Sequence, residues 1–343
     1  MSNITILGID LAKNIFQLHG ADSKGKCIKR LRLSRKKLAE YVTNLPVCTI
    51  AMESCSGSNY WARKFKLMGH TVKLIAPQFV KPYVKSNKTD RNDAEAIAEA
   101  ASRPGMRFVP IKEVEQQDMQ SVHRSRELFV KQRTMLANHM RGLLGEYGVI
   151  MGKGLGQLRK NFALLIEKEG TELTAKGREN MQVLLESFRK LDKQVTYYDK
   201  QIEKMAKADE HCKALMEVPG VGPLTATAAL AAIGDGKEFK RGREASAWVG
   251  LVPKQHSSGN KIRLQGISKR GDRYLRTLLV HGARSVVNVC ERKTDKRNVW
   301  VAGLKKLKGH NKAAVALANK NMRIIWSILS TGECYRKPES VVA

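Results

Sequence analysis

Short apolar runs with the period of a strand alternate with amphipathic runs with the period of a helix through the first hundred residues, and this order restricts the fold more than any other feature. Three hairpin-linked strands come first, and strand–helix crossovers follow them. Such an order predicts a mixed sheet with helices on its faces. The predicted elements are strands over 4–10, 15–21 and 27–33, a helix over 35–45, a strand over 48–54, a helix over 59–69, a strand over 71–77 and a helix that begins near residue 90.

This α/β layout is that of ribonuclease-H-like domains, although actin-like sugar kinases open with a similar Gly-Ile-Asp strand. Residues 20–27, GADSKGKC, also match the spacing of a P-loop, except that Cys27 stands where a Ser or Thr should hold Mg²⁺. A P-loop must lead into a helix, whereas this segment joins two predicted strands. We therefore interpret it as a hairpin turn, and ATP is not implied.

A central helical segment is predicted over residues 109–210. Apolar residues in its second half recur at alternating spacings of three and four, which is the pattern of a coiled-coil seam. An earlier helix carries a similar stripe that Arg126 and Arg133 interrupt. The pattern predicts helix pairing and leaves open whether the pair is a hairpin within one chain or a dimer contact. The seam residues are Met181, Leu184, Phe188, Leu191, Val195, Tyr198, Ile202 and Met205.

A third, mainly α region is predicted over residues 211–335. Its Pro219-Gly220-Val221-Gly222 turn resembles a helix-hairpin-helix, in which backbone N–H groups at Gly220 and Gly222 can hold a phosphate; a tight turn between packed helices is the alternative. Residues 250–320 contain 17 Lys and Arg against three Asp and Glu, about twice the net charge density of the whole chain. The candidate nucleic-acid contacts there are Lys254, Lys261, Arg263, Lys269, Arg270, Arg273 and Arg276.

The charge of the whole chain points to a polyanionic partner. The 343 residues carry a formal net charge of +30, and nucleic acid is the commonest partner that neutralises so much positive charge. No apolar run approaches the roughly 18 residues of a membrane span, and no signal peptide pattern opens the sequence, so we expect a cytoplasmic protein without membrane contact. The six cysteines form no CxxC pair, which favours reduced thiols over a zinc site.

Four acidic residues are candidates for a metal site. Asp10 and Glu53 each end an apolar strand, and Asp90 and Asp93 share one face at the start of a helix. Each has an ordinary explanation, as a turn residue or helix cap. Together, at one edge of a sheet, they favour hard divalent ions such as Mg²⁺, which can clamp the attacking and leaving oxygens of a phosphodiester.

A serine pair lies within the basic region. Ser257 and Ser258 precede Gly259 in a segment flanked by cationic side chains, where a hydroxyl could attack a phosphodiester and keep its energy as a phosphoserine bond. A plain Ser-Gly loop has the same spacing, and the spacing does not distinguish Ser257 from Ser258. His256 is a conceivable base.

The motifs in combination resemble the DEDD transposases of bacterial insertion sequences, relatives of the Piv inversion recombinase. The resemblance rests on GIDLAKN, AMESCSG, KTDRNDAEAIAE, VPGVGPLTATAALAAIG and WVGLVPKQHSSGNKIRLQGISKRGDRYLR, and it extends over nearly the whole chain. It implies a RuvC-like domain over 1–108 with Asp10, Glu53, Asp90 and Asp93 as ligands of Mg²⁺ or Mn²⁺. It also implies a helical assembly segment over 109–210 and a transposase domain over 211–335 with Ser258 as nucleophile.

The same resemblance implies the partners. These are a non-coding bridge RNA that pairs with target and donor DNA, and further copies of the chain, as dimers that join into a tetramer. It also implies association with the bacterial nucleoid. Two alternatives stay open at this stage: a metal-only nuclease in which Ser258 is structural, and a non-catalytic nucleic-acid-binding protein.

Overall fold

The computed structural model describes residues 3–84, 90–168, 170–259 and 261–337, and the side chains of Asp90 and Arg91 are outside the described set. The chain divides into two compact units, residues 1–114 and 115–343. No helix in the described ranges is both long and apolar enough to cross a bilayer.

The first unit is a six-stranded mixed sheet with helices on its faces. The strand order is β3-β2-β1-β4-β5-β6, in which β1, β4 and β5 are parallel and β2, β3 and β6 antiparallel to their neighbours. The elements are β1 (Ile6–Asp10), β2 (Ile15–Ala21), β3 (Cys27–Ser34), α1 (Arg35–Thr43), β4 (Thr49–Glu53), α2 (Ser58–Leu67), β5 (Thr71–Ile75), α3 (Pro77–Val80), α4 (Asp90–Ser102) and β6 (Phe108–Val109).

Alternation along the central strands separates two cores. Leu7 and Ile9 of β1 pack with α1 and α2, while Ala51 of β4 packs with Ile97 of α4 on the other face. The predicted order of three strands, helix, strand, helix, strand and helix is confirmed. Residues 20–27 include the end of β2, the predicted hairpin turn over 22–26 and the start of β3. The mixed sheet fits the ribonuclease-H-like prediction. The short α3 and β6 were not predicted.

The second unit is mainly helical, with one two-stranded sheet of β7 and β8. Its elements are α5 (Val114–Glu146), α6 (Leu155–Glu167), α7 (Ala175–Ala208), α8 (Glu210–Met216), α9 (Pro223–Ile233), α10 (Gly242–Trp248), β7 (Pro253–Gln255), β8 (Leu264–Ile267), α11 (Arg273–Val289), α12 (Lys296–Lys308) and α13 (His310–Thr331). One hydrophobic cluster lies among α5, α6 and α7, and another among α8 to α13. The division at residue 210 stays a prediction.

Helices α5 and α7 pair antiparallel within the chain. Arg126 and Arg133, the two arginines that interrupt the apolar stripe of α5, form ion pairs with Asp199 and Asp192 of α7 at 2.5 and 2.8 Å. Phe129 stacks on Tyr198 between these two pairs. The interrupting arginines are therefore part of the helix contact rather than breaks in it. A dimer contact through these helices stays a prediction.

Candidate catalytic site

Two of the predicted acids lie side by side at the ends of adjacent strands. Strands β1 and β4 are parallel, with Ile9 opposite Met52, so Asp10 and Glu53 are the next residues on each strand. Both are half-buried. Burial raises the pKa of the Cys55 thiol, and the negative charges of Glu53 and Asp10 raise it further. Both carboxylates therefore lie near this thiol.

Helix α4 lies directly on the strand that carries Asp10. A Cβ atom at Gly8 would come within 2.3 Å of the Ala94 carbonyl oxygen and 2.8 Å of the Ala98 nitrogen. Only glycine allows the helix to approach this closely. Because side chains two apart on a strand point to the same face, Asp10 faces the side of the sheet that α4 covers.

A second contact fixes α4 on the sheet. Glu95 accepts a hydrogen bond of 2.6 Å from Arg30 of β3, and its carboxylate lies 3.8 Å from the ring of His19 on β2. Glu53 faces α4 as well, since Ala51, two residues earlier on β4, packs against that helix. Asp10 and Glu53 therefore both lie on the face of the sheet that α4 covers.

Asp93, in the first turn of α4, is half-buried, and the side chain of Asp90 is outside the described residues. Among the side chains that the structure describes, no three or more of His, Cys, Asp and Glu are arranged to hold a metal ion. The structure thus places Asp10 and Glu53 at neighbouring strand ends. The described side chains do not complete the predicted set of four acidic residues. Two adjacent carboxylates are nevertheless hard oxygen donors of the kind that fits a divalent cation.

The predicted serine segment is the tip of the β7–β8 hairpin. Gln255 pairs with Leu264, the His256 N–H donates to the Arg263 carbonyl, and Ser258 forms a bridge with Lys261. Gly259, with a φ of +55°, begins the turn, and Asn260 is outside the described residues. The ladder thus continues past the named strands to the serines.

This register divides the hairpin into two chemically different faces. Residues directly opposite one another, and residues two apart, share a face. The cationic face carries the predicted nucleophile together with one histidine and three cations: Lys254, His256, Ser258, Lys261 and Arg263. The other face carries Ser257, whose hydroxyl accepts a hydrogen bond of 2.9 Å from the Gln255 amide, beside exposed Ile262 and Leu264.

The base of the hairpin is held by tight backbone packing. A Cβ at Gly250 would lie 2.3 Å from the Arg270 carbonyl oxygen, and one at Gly271 would lie 1.8 Å from that of Trp248. The Arg276 guanidinium donates to the carbonyls of Val249 and Arg270 at 2.7 and 2.8 Å. Arg276 therefore braces this loop, whereas the other six predicted contacts, Lys254, Lys261, Arg263, Lys269, Arg270 and Arg273, are exposed.

The Pro219–Gly222 turn joins α8 to α9, as a helix-hairpin-helix requires. Gly220 has a φ of +90°, and a Cβ there would meet the Gly282 carbonyl oxygen of α11 at 2.8 Å. Gly222 precedes α9, and a Cβ there would meet nothing within 4 Å. Packing accounts for Gly220, and the predicted phosphate contacts of both glycines stay a proposal.

The second unit also contains a buried polar network of His123, Thr227 and Tyr274, which was not identified from the sequence. His123 of α5 is 3% exposed and lies 2.9 Å from the Tyr274 hydroxyl and 2.8 Å from the Thr227 hydroxyl. Thr227 donates its proton to the Pro223 carbonyl, so the ring Nε2 must donate to Thr227 and the Nδ1 must accept from Tyr274. Burial, assisted by the charge of Arg126, lowers the pKa of His123 to about 4, and the ring is neutral at pH 7.

A mixed sheet with acids at its strand ends, followed by a helical unit with a cationic serine hairpin, agrees with what the resemblance to DEDD transposases implies. A family model described as "Transposase IS116/IS110/IS902 family" matches residues 212–298. A DEDD transposase model of the IS110 type, described as "Transposase", matches residues 7–149.

Two relatives match this chain over nearly its whole length. The chain is 47% identical to a "Probable family 20 transposase" of Pseudomonas aeruginosa, over 97% of this chain and 99% of the relative. It is 48% identical to the "Transposase for insertion sequence element IS1111A" of Coxiella burnetii, over 98% and 92% of the two chains. A "Pilin gene-inverting protein" of Moraxella bovis is 25% identical over 61% and 58%. The chain therefore belongs to the IS110/IS116 family of insertion-sequence transposases.

Membership confirms the predicted resemblance and the prediction of an enzyme that acts on DNA. A DEDD-type domain also implies acidic residues that bind a divalent metal. The residue assignments, the nature of the ion, the guide RNA and the oligomeric state stay predictions.

Proposed function

We propose that this transposase exchanges DNA strands by nucleophilic attack of the Ser258 hydroxyl on a phosphodiester. The register of the β7–β8 hairpin is the observation that carries the proposal, because it places Ser258 on the cationic face and Ser257 on the opposite one. A phosphate attracted to Lys254, Lys261 and Arg263 would meet the hydroxyl of Ser258 and not that of Ser257.

The step conserves the energy of the bond that it breaks. The Ser258 oxygen forms a bond to phosphorus, the bond from phosphorus to the 3′ oxygen breaks, the serine loses its proton and the released 3′ oxygen gains one. A second 3′ hydroxyl can then reverse the step at the phosphoserine and join a different strand, so no ATP is required. His256 shares the cationic face with Ser258 and is the candidate on that face to receive the proton.

The acidic residues of the first unit would hold the divalent cation, for which we propose Mg²⁺ or Mn²⁺. Asp10 and Glu53 supply two carboxylates at adjacent strand ends, and Asp93 with Asp90 would complete the set from α4. When bound, the cation supplies positive charge to the phosphodiester oxygens. Cleavage would then depend on both the carboxylates and Ser258.

Guidance by a non-coding RNA is the second part of the proposal. The active form would be a homo-oligomer, and the protein would associate with the nucleoid in the bacterial cytoplasm. The net charge of +30 supports extensive contact with nucleic-acid backbones, as expected when base pairing reads the sequence. To test RNA guidance, the protein is co-expressed with the non-coding flanks of its insertion sequence, and the nucleic acid that it binds is sequenced. A discrete structured RNA from one flank is the expected result, and only heterogeneous cellular nucleic acid would overturn it.

Substitution separates this function from a metal-only nuclease. We expect Ser258→Ala and Asp10→Asn each to abolish strand cleavage, with Ser257→Ala as the matched control that keeps it. A Ser258→Ala enzyme that still cleaves would assign the chemistry to water and the acidic residues. An Asp10→Asn enzyme with unchanged activity would exclude the acidic site.

A further inference from the structure

A cavity of about 280 Å³ in the second unit is not used by the proposed chemistry. It lies beside the first turn of α12, the second half of α13 and the segment that follows α13. Ile324 and Ile328 form an apolar part of its wall, and Arg297, Lys320, Tyr335 and Arg336 contribute polar groups. We call it the Arg297 pocket.

Arg297 is a buried cation whose hydrogen bonds are incomplete. The residue is 3% exposed, its Nη1 donates to the Tyr335 hydroxyl at 3.0 Å, and its buried Nε has no hydrogen-bond partner among the residues that the structure describes. The adjacent carboxylate, Asp295, accepts hydrogen bonds from the backbone and side-chain nitrogens of Asn298 and interacts with Arg297 through its charge, but it does not accept from the Arg297 Nε. A buried guanidinium normally requires an anionic or several neutral acceptors, so the missing acceptor points to a ligand.

The other charged residues of the pocket favour an anion. Arg336 is paired with Glu333 at 3.6 Å, so those two charges offset each other. Lys320 is exposed, its ammonium lies 4.7 Å from the ring centroid of Trp300, and it pairs with no carboxylate of the described residues. The Tyr335 oxygen accepts from Arg297, which leaves its own proton to donate, and burial raises the pKa of this phenol.

We propose that the Arg297 pocket binds a phosphodiester group of a nucleic-acid strand, with the Arg297 guanidinium and the Lys320 ammonium as its cationic contacts and the Tyr335 hydroxyl as a further donor. A guanidinium presents a planar set of donors that suits phosphate oxygens. The proposal rests on the nucleic-acid binding of the proposed function and adds a fixed anchor point outside the serine hairpin. DNA and RNA share the phosphodiester and are separated by the test.

Cys334 provides a direct reporter, because this exposed thiol lines the same pocket. The full chain is alkylated with a small thiol reagent, alone and with saturating single-stranded DNA, RNA or inorganic phosphate, and the rate at Cys334 is read by mass spectrometry. We expect a nucleic-acid strand to slow alkylation of Cys334 several-fold. DNA-only or RNA-only protection identifies the strand, and either supports the pocket. Protection by inorganic phosphate without protection by either strand would overturn the proposal.

Substitutions test whether Lys320 and Arg297 are responsible for the protection of Cys334. Lys320→Gln should reduce the protection of Cys334 and lower the salt dependence of binding by about one phosphate contact. Lys312→Gln, an equal charge change at an exposed position of the same helix, should leave both unchanged. Arg297→Gln should reduce protection further, and exposed Lys320 keeps the test valid if that variant does not fold.

The outcome is independent of catalysis. Ser258→Ala and Asp10→Asn, which should lose cleavage, should keep the protection of Cys334. Equal alkylation rates with and without a strand whose binding is verified by anisotropy would refute the pocket while leaving the serine chemistry intact. Full protection retained in Lys320→Gln and in a folded Arg297→Gln would refute it as well.

Discussion

Protonation of His123 should destabilise the second unit in a defined pH range. The ring is buried and neutral, it donates to Thr227 and accepts from Tyr274, and its pKa is lowered from the ordinary 6.5 to about 4. The unfolded chain therefore binds a proton between pH 6.5 and 4 that the folded chain does not. Stability is full above pH 6.5 and decreases as the pH falls towards 4.

The size of the effect follows from the two pKa values. Linkage gives a loss of about 2 kcal/mol in the free energy of unfolding between pH 7 and pH 5, and about 3 kcal/mol by pH 4. Other groups titrate in this range too, so the quantity to measure is the difference between the native chain and His123→Gln. That difference should shrink by about 2 kcal/mol from pH 7 to pH 5, because glutamine does not titrate.

Urea unfolding followed by tryptophan fluorescence measures this difference. Three of the four tryptophans, Trp248, Trp300 and Trp326, lie in the second unit and report on its unfolding. His281→Gln is the matched control, because it removes one histidine at an exposed position of the same unit. If the difference in the free energy of unfolding between the native chain and His123→Gln is the same at pH 7 and pH 5, the buried neutral histidine is refuted.

Three further substitutions test the packing. Gly8→Ala should lower the free energy of unfolding by about 1–3 kcal/mol, because the added Cβ collides with α4, whereas Gly266→Ala has open space; equal melting temperatures for the two variants would contradict the close approach. Asp192→Asn should cost about 1–2 kcal/mol in urea unfolding, less at high salt, because this carboxylate pairs with Arg133 and Arg159; no change at low salt would count against the ion-pair cluster. Arg276→Lys should speed amide hydrogen exchange over residues 249–252 and 268–272, since one ammonium cannot reproduce the bonds to Val249 and Arg270; unchanged exchange would show that the loop does not depend on the guanidinium.

Periodic features were predictable from the sequence. The strands that end at Asp10 and Glu53 follow from apolar runs, and their adjacency follows from the parallel pairing that crossover helices impose. Four of the eight residues predicted for the seam of α7 are buried: Met181, Phe188, Val195 and Ile202. Leu185 and Ala206 are buried, and Leu184 and Met205 only half-buried, because a straight helix of 3.6 residues per turn drifts from a strict repeat of 3.5.

Single buried polar residues were not predictable in this way. His123 and Arg297 have no periodic signal, and their significance depends on partners more than 30 residues away, Tyr274 and Tyr335. The choice of Ser258 over Ser257, which the resemblance implied and spacing alone did not, stays a proposal, and the hairpin register supports it. Gly8 is recognisable as a contact point only once α4 lies on β1.

A covalent protein–DNA adduct is the most direct test of the serine mechanism. The protein is incubated with its co-purified RNA, a divalent cation and DNA that carries the ends of the element, then digested with protease and nuclease and analysed by mass spectrometry. The account predicts a nucleotide attached through phosphate to the peptide that contains Ser258, retained in Ser257→Ala and absent from Ser258→Ala and Asp10→Asn. Cleaved DNA without any adduct, at a rate that Ser258→Ala shares with the native enzyme, would contradict it.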